Sequence, residues 1–180
     1  LNIAPASGTT GTINVDAGVS TEIGTQIVGT GSGLEKVGAG TLTLTNATNT
    51  YTGDTILTAG TLNAKYDGSL GDLSSAIVFN GGTLQAGSDF SSTARTMTIN
   101  TGKAAAIDIA DPAKSLTASG VISGNGDLIK TGAGKLMLAG TNTYTGTTIL
   151  SAGTLSIASD GNLGANSVAF ETATLEVTNS

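Results

Sequence analysis

The chain has 180 residues and a formal net charge of −6, and it contains no Cys, His or Trp. Without imidazole or thiol groups it cannot build a Ser-His-Asp or Cys-His nucleophile system, or an ordinary zinc or haem site. Its 7 basic residues are scattered singly, which argues against binding to nucleic acid or an anionic membrane. Since 38% of residues are hydrophobic and only 11% charged, we expect an ordered fold with no cofactor.

The N-terminal segment 1–10 lacks the basic region and apolar run that are typical of a signal peptide. No apolar stretch approaches the ~20 residues that a membrane-spanning helix needs. Strand-like sequence is present near the start, in 12–15, and at the end, in 174–180. We therefore expect a single β fragment, residues 1–180, cut from a longer chain, with no direct membrane insertion.

Two copies of one sequence dominate the chain. With one residue inserted in the first copy, segments 36–62 and 130–155 are identical at 19 of 26 aligned positions. Weaker similarity extends the long repeats to about 28–86 and 122–177, on either side of a divergent middle at about 87–121. The recurring positions that we select are Gly38, Gly40, Leu42, Leu44, Asn49, Tyr51, Gly53, Gly60 and Leu62, and then Gly132, Gly134, Leu136, Leu138, Asn142, Tyr144, Gly146, Gly153 and Leu155.

A shorter period lies inside each copy. Gly-Thr-Leu triplets begin at Gly40, Gly60 and Gly82, and related triplets in the second copy are 19 and 20 residues apart. A period of about 20 residues, with short strands separated by glycine, is typical of one coil of a β-solenoid, whereas a β-sandwich would not explain the recurring leucines. Each coil is expected to place its leucine directly above the previous one. About nine coils are predicted, in a rod of roughly 40 Å.

The strand pattern supports an all-β fold. In segment 41–45, leucine and threonine alternate, so the leucines are expected to face one side of the strand and the threonines the other. Turns are predicted where Gly, Asn and Asp cluster, because these residues tolerate a positive φ. Helix signals are weak throughout, since glycine and threonine are too frequent.

Segments 38–62 and 132–155 resemble the autotransporter-associated β-strand repeat, also called the passenger-associated transport repeat. The shared pattern is G-x-G-x-L-x-L-x-G-x-N-x-Y-x-G-x-T followed by G-T-L. The first copy departs from it by one inserted residue, with Asn46 where the second copy has Gly140. The resemblance implies a right-handed, single-stranded parallel β-helix in the passenger domain of a bacterial type V secretion protein.

The same resemblance implies a structural stalk at the bacterial cell surface, whose repeats support passenger folding and translocation. The implied partner is the protein's own C-terminal outer-membrane β-barrel, which also anchors it. The alternative is a segment that itself binds a host surface or another passenger copy. A binding loop would then be expected in the divergent middle, in 87–123, which lies outside the conserved pattern of the two copies.

The repeated polar and aromatic residues have two interpretations. Tyr51 and Tyr144 could be exposed platforms for stacking sugars, but we favour rings that cover a corner of the solenoid. Asn49 and Asn142 could bind a ligand, but stacked asparagines commonly satisfy backbone groups in turns. We expect the lysines that precede the Gly-Ala-Gly turns, Lys36 and Lys130, to be solvated.

A β-helical polysaccharide lyase or hydrolase is the third possibility. Hydrolysis needs a pair of carboxyl groups about 5–10 Å apart, and the candidates are Asp108 and Asp111. Arg95 is the only arginine, so a groove with several acids and bases is not indicated. The Gly-rich strings complete no phosphate-binding motif, and segment 67–72 lacks the spacing of a calcium loop. We expect no enzymatic activity and no metal site.

Overall fold

The computed structural model describes residues 7–88 and 90–178. Their regular structure is almost entirely β-strand, with short 3-10 helices at Asp67–Leu70 and Asp160–Asn162. Neither helix in these residues is long and apolar enough to cross a membrane. The strands are β1 (Thr10–Asn14), β2 (Ser20–Ile23), β3 (Gly33–Val37), β4 (Thr41–Leu44), β5 (Thr55–Leu57), β6 (Thr61–Ala64), β7 (Ile77–Phe79), β8 (Thr83–Ala86), β9 (Ser92–Thr93), β10 (Met97–Ile99), β11 (Ala104–Asp108), β12 (Ser115–Ala118), β13 (Ile122–Gly124), β14 (Asp127–Thr131), β15 (Lys135–Leu138), β16 (Thr148–Ile157) and β17 (Val168–Val177).

The strands stack into a rod with three faces. The first face contains β1, β3, β5, β7, β10 and β13 in that order. The second face contains β2, β4, β6, β8, β11, β14 and the first half of β16. The third contains β9, β12, β15 and the second half of β16, and β17 pairs with β16 along both halves. Every ladder is parallel and joins successive coils, so the predicted parallel β-helix is confirmed.

In the N-terminal coils the third face is built from segments without strand geometry. There the Asn49 N–H donates to the Gly68 carbonyl, and the Thr50 N–H donates to the Ile27 carbonyl. Backbone hydrogen bonds between successive coils therefore continue around this face too. These hydrogen bonds hold the segment against its neighbouring coils, although its backbone departs from regular strand geometry.

Columns of apolar side chains fill the interior, as the alternation of leucine and threonine predicts. On the second face, one inward column passes through β4, β6, β8, β11, β14, β16 and β17, and its successive members are 20 to 23 residues apart. The coils average about 21 residues, so the described chain completes about eight turns rather than the expected nine. The column consists of the buried residues Leu42, Leu62, Leu84, Ile107, Lys130 and Leu150, of which Lys130 alone is not apolar, and it ends in Phe170, which is 54% exposed.

The two copies of the repeat lie on different faces. Lys36 is in β3 on the first face, whereas the equivalent Lys130 is in β14 on the second. Lys130 therefore stacks between Ile107 and Leu150 and not above the column of Lys36. The expected leucine stacking holds within each copy but not from one copy to the other. The middle segment spans whole coils plus one additional face, which turns the second copy by one face about the rod axis.

Because the coils stack closely at the corners, we expect alanine substitution at two glycines with a positive φ to reduce stability by different amounts. A Cβ on Gly60 (φ +64°) would lie 2.4 Å from the Gly40 carbonyl oxygen of the preceding coil, whereas a Cβ on Gly102 (φ +69°) would meet nothing within 4 Å. Gly102→Ala should therefore cost only the backbone strain, about 1–2 kcal/mol. Gly60→Ala should cost about 2 kcal/mol more because the coils must separate. Denaturant unfolding followed by circular dichroism measures both, and equal losses would contradict the close stacking.

Candidate functional site: the corners of the repeat

The side chain of Lys36 is buried, with 0% of its surface exposed. The alternation of β3 points it into the interior beside Leu34. Its Nζ donates hydrogen bonds to the carbonyl oxygens of Val37 and Gly38 in its own coil, at 2.8 Å each. A third bond of 3.2 Å reaches the Ala59 carbonyl of the next coil. One ammonium group thus uses all three of its donors on two successive corners.

Lys130 repeats this arrangement on the second face. It is also 0% exposed, and its Nζ donates to the carbonyl oxygens of Thr131 and Gly132 and, at 3.3 Å, to that of Ala152 in the next coil. The expectation that both lysines are solvated is therefore wrong. Their aliphatic stems pack along the apolar columns, and their ammonium groups supply donors where the Gly-Ala-Gly turn offers too few.

Burial makes the side-chain amines of Lys36 and Lys130 weaker bases than free lysine. It lowers the pKa of Lys130 to about 8, although the negative charge of Asp108 acts in the opposite direction. Burial also lowers the pKa of Lys36. Desolvation disfavours the charged form, while hydrogen bonds to a charged donor are worth about 1.5–3 kcal/mol. The corner hydrogen bonds therefore offset part of the cost of placing a charge in the core.

The repeated asparagines also join successive coils. The Asn49 Oδ1 accepts from the Ile27 N–H at 2.8 Å, and its Nδ2 donates to the Ser69 carbonyl at 2.7 Å. Asn142 makes the equivalent contacts with the Ile122 N–H and the Asn162 carbonyl. Each amide group therefore links the coil before it to the coil after it.

The repeated tyrosines lie in the interior. Tyr51 and Tyr144 are 0% exposed, so neither ring is available for stacking against a sugar. Their hydroxyl groups form hydrogen bonds with the hydroxyls of Thr55 and Thr148. A glycine of the next coil lies directly on each ring, since a Cβ at Gly71 would be 2.6 Å from Tyr51 Cε2. Burial raises the pKa of the Tyr51 phenol, which keeps it neutral and able to donate its proton.

Arg95 is buried, and its side chain forms hydrogen bonds with a turn of the preceding coil. It is 2% exposed, and its Nε donates to the Asp67 carboxylate at 2.9 Å. Its Nη2 donates to the Asp67 and Gly71 carbonyls at 2.9 Å each, and its Nη1 donates to the carbonyls of Asp72 and Ser75. All its nitrogen atoms are therefore occupied in holding the turn around the first 3-10 helix.

The two carboxylates considered for hydrolysis are engaged in local structure. Asp108 accepts hydrogen bonds from the Gln85 amide at 2.6 Å and from the Thr131 hydroxyl at 3.2 Å, both on neighbouring strands. Asp111 lies in an exposed turn and accepts from the backbone N–H of Ala113. Within residues 7–88 and 90–178, no three acidic side chains cluster in a way that could hold a metal ion.

The lysines, asparagines and tyrosines that make these corner contacts lie in two segments that match a known repeat family. The model of the passenger-associated transport repeat matches residues 34–64 and 128–157, which include Lys36, Asn49, Lys130 and Asn142. The chain carries two passenger-associated transport repeats. The buried lysine, asparagine and tyrosine of these transport repeats occupy the same places in both copies, although the copies lie on different faces.

One relative supports the same assignment over a longer stretch. The Adhesin BmaC autotransporter of Brucella suis biovar 1 (strain 1330) is 40% identical over 157 residues, which is 86% of this chain. The chain spans 4% of the length of that relative. No solved structure matches the chain significantly.

Sequence reasoning missed the roles of Lys36, Lys130 and Arg95. A signal for the lysines was present, because each is the second inward residue of a strand that alternates toward the core. For Arg95 there was no such signal, since it lies outside both transport repeats and its partners are 20 to 28 residues earlier.

The buried ammonium of Lys130 predicts an unusual dependence of stability on pH. Between about pH 8 and 10.5 the unfolded chain binds more protons than the folded chain, so the free energy of unfolding rises with pH. Between pH 8 and 10 the part of this rise that comes from Lys130 should be about 2 kcal/mol, and Lys130→Met should remove that part and leave the contribution of Lys36. Above pH 10, ionisation of Tyr51 in the unfolded chain should reverse the trend. Urea titrations at each pH provide the measurement, with the exposed Lys103→Met as control, and identical profiles for all three proteins would contradict the assignment.

The bridging amide of Asn142 can be tested against an exposed asparagine. Asn142→Ala leaves the Ile122 N–H and the Asn162 carbonyl without their partner, which should cost about 3 kcal/mol. Asn125 is exposed, so Asn125→Ala should change stability by only about 0.5 kcal/mol. Thermal and denaturant unfolding compare the two variants. Similar stability of both would show that the buried bridge contributes little.

Proposed function

We propose that this chain is a stretch of β-helical stalk in a surface protein of the type V secretion pathway. Its transport repeats support folding of the passenger and translocation across the outer membrane. The observation that carries this proposal is the repeated set of buried side chains that join successive coils. Such a stack is stabilised by nearest-neighbour contacts, so folding can propagate one coil at a time as the chain emerges.

Because these contacts join each coil to its neighbours, they would support the addition of a coil at either end of the stack. The ammonium of Lys36 needs the Ala59 carbonyl of the next coil, and Asn49 needs partners on both sides. Until the neighbouring coil is in place, each of these polar groups lacks at least one of its hydrogen-bond partners. Each added coil therefore completes the hydrogen bonds of the previous one while it buries another member of every apolar column.

The location and partner follow from the same proposal. In the full-length protein, the stalk stands at the bacterial cell surface and is anchored through its own C-terminal outer-membrane β-barrel. The name of the Brucella relative, an adhesin autotransporter, supports this placement. We propose no catalytic activity for the chain, because Arg95 and Asp108 are both engaged in structural contacts.

A second function, direct adhesion or self-association, is favoured by the adhesin name of the relative and by the outer surface of the rod. Threonines at the outward positions of β4, β6 and β8 stack in register as Thr41, Thr61 and Thr83. This row offers uncharged hydrogen-bonding groups to a host surface or to another passenger copy. Adhesion and display must therefore be measured separately.

The stacking register defines a pair of deletions that tests the stalk proposal. Leu136 pairs with Leu155, so removal of residues 136–154 takes out one coil and keeps every remaining column in register. Removal of 130–155 takes out more than one coil and breaks the register. In cells that express the parent protein, we expect normal surface display for the first deletion and strongly reduced display for the second, with both proteins still synthesised.

Adhesion per displayed molecule provides the second readout. The stalk proposal predicts that it is unchanged by the deletion of 136–154. Equal display of both deletions would contradict a role of the stacked repeats in folding and translocation. Normal display with lost adhesion or lost cell clumping would instead favour the adhesive function.

A further inference from the structure

The residue inserted in the first copy creates a motif that the second copy lacks. Between the recurring leucine and the recurring asparagine, the first copy has four residues, 45–48, whereas the second copy has three, 139–141. The result is Asn46-Ala47-Thr48, the only complete Asn-x-Ser/Thr triplet in the sequence. A triplet of this kind, with any residue except proline in the middle, is the acceptor motif for N-linked sugars. Because such triplets also occur by chance, the surrounding structure must show whether this one is presented to an enzyme.

The turn holds the triplet in one conformation at the surface of the rod. The Asn46 Oδ1 accepts hydrogen bonds from the Thr48 N–H at 2.8 Å and from the Thr48 hydroxyl at 3.0 Å. This arrangement is an Asx turn, in which the asparagine side chain bonds to the residue two positions later. Ala47 and Thr48 are exposed and Asn46 is partly exposed, so an enzyme can approach the triplet from solvent.

Both neighbouring coils support the backbone of this turn. In the preceding coil, the Gln26 Nε2 donates to the Thr48 carbonyl. In the next coil, a Cβ on Gly68 would lie 2.1 Å from the Ala47 carbonyl oxygen. A Cβ on Gly161, the corresponding glycine of the second copy, would meet its nearest atom at 3.7 Å. The inserted residue therefore presses the turn against the next coil, while the exposed side chains stay on the outside.

The contacts of the Asn46 amide suit it to react at nitrogen. An amide nitrogen is a poor nucleophile because its lone pair is delocalised into the carbonyl group. Hydrogen bonds donated to Oδ1 withdraw electrons from the amide and make the hydrogens on Nδ2 easier to remove. One of the two Nδ2 hydrogens bonds to the Gly24 carbonyl of the preceding coil, at 3.1 Å. The side chain can therefore stay fixed to the rod through one N–H while the other hydrogen is replaced.

We propose that Asn46 is a glycosylation site, to which a transferase attaches one hexose from a nucleoside diphosphate sugar. The Nδ2 forms a bond to the anomeric carbon of the sugar, and the bond between that carbon and the diphosphate oxygen breaks. The nucleoside diphosphate leaves with the bonding electrons, and the proton lost from Nδ2 passes to a base of the transferase. The product is a secondary amide, which keeps one N–H for Gly24 and both hydrogen bonds at Oδ1. This site is an addition to the stalk function and does not depend on it.

The test is incubation of the folded chain with UDP-glucose and a soluble asparagine glycosyltransferase, followed by mass spectrometry of the intact protein and its peptides. One hexose is expected, at Asn46. Asn46→Gln and Thr48→Val should abolish the modification, whereas Thr48→Ser keeps the hydroxyl and should retain it. The matched control is Thr50→Val, at an exposed threonine outside the triplet, which should be modified like the wild type.

Two further measurements separate the folded turn from the bare sequence. A synthetic peptide of residues 41–53 should be modified more slowly than the folded chain, because it lacks the coils that hold the Asx turn. A standard acceptor peptide shows that the enzyme is active. The proposal is overturned if the folded chain gains no hexose, if only the peptide of residues 41–53 does, or if Thr48→Val is modified like Thr50→Val. In the parent protein recovered from the surface of the bacterium that produces it, Asn46 should carry the hexose, and an unmodified Asn46 in every molecule would also overturn it.

Discussion

The corners of the coils impose the constraint on which the rest of this structure depends. Along the three faces, ladder hydrogen bonds satisfy the backbone, but at the corners some carbonyl groups accept hydrogen bonds from buried side chains instead. Lys36, Lys130 and Arg95 supply the missing donors from buried positions, and Asn49 and Asn142 bridge consecutive coils. The apolar columns provide most of the burial, and these polar contacts fix how one coil sits on the next.

The two copies show that the hydrogen bonds of the buried lysine depend only on the local repeat sequence. Lys36 and Lys130 contact equivalent carbonyls, although their strands belong to different faces and different sheets. Because the same hydrogen bonds form at two different corners, they do not require a particular face of the rod. A passenger can therefore be lengthened or varied between repeats, as the long coils around Met97 and Ile122 illustrate, without loss of the stack.

Sequence alone predicted the parts of the fold that depend on periodicity. The spacing of leucines indicated a parallel solenoid, and the alternation in β4 and β15 indicated which side chains face inward. The burial of Lys36 and Lys130 was not predicted, because a charged residue at an inward position is assigned to solvent unless its acceptors are known. The one-face offset was also missed, since it depends on the summed lengths of irregular coils in the middle.

The most direct test of the corner account is native-state hydrogen exchange, read by mass spectrometry, for Lys36→Met beside the exposed control Lys103→Met. If the ammonium joins two coils, protection should fall in the segments 33–44 and 55–64 and stay unchanged in 127–157. The control should match the wild type throughout. Unchanged exchange in the first two segments, or an equal loss of protection along the whole rod, would contradict the claim that buried corner contacts hold neighbouring coils together.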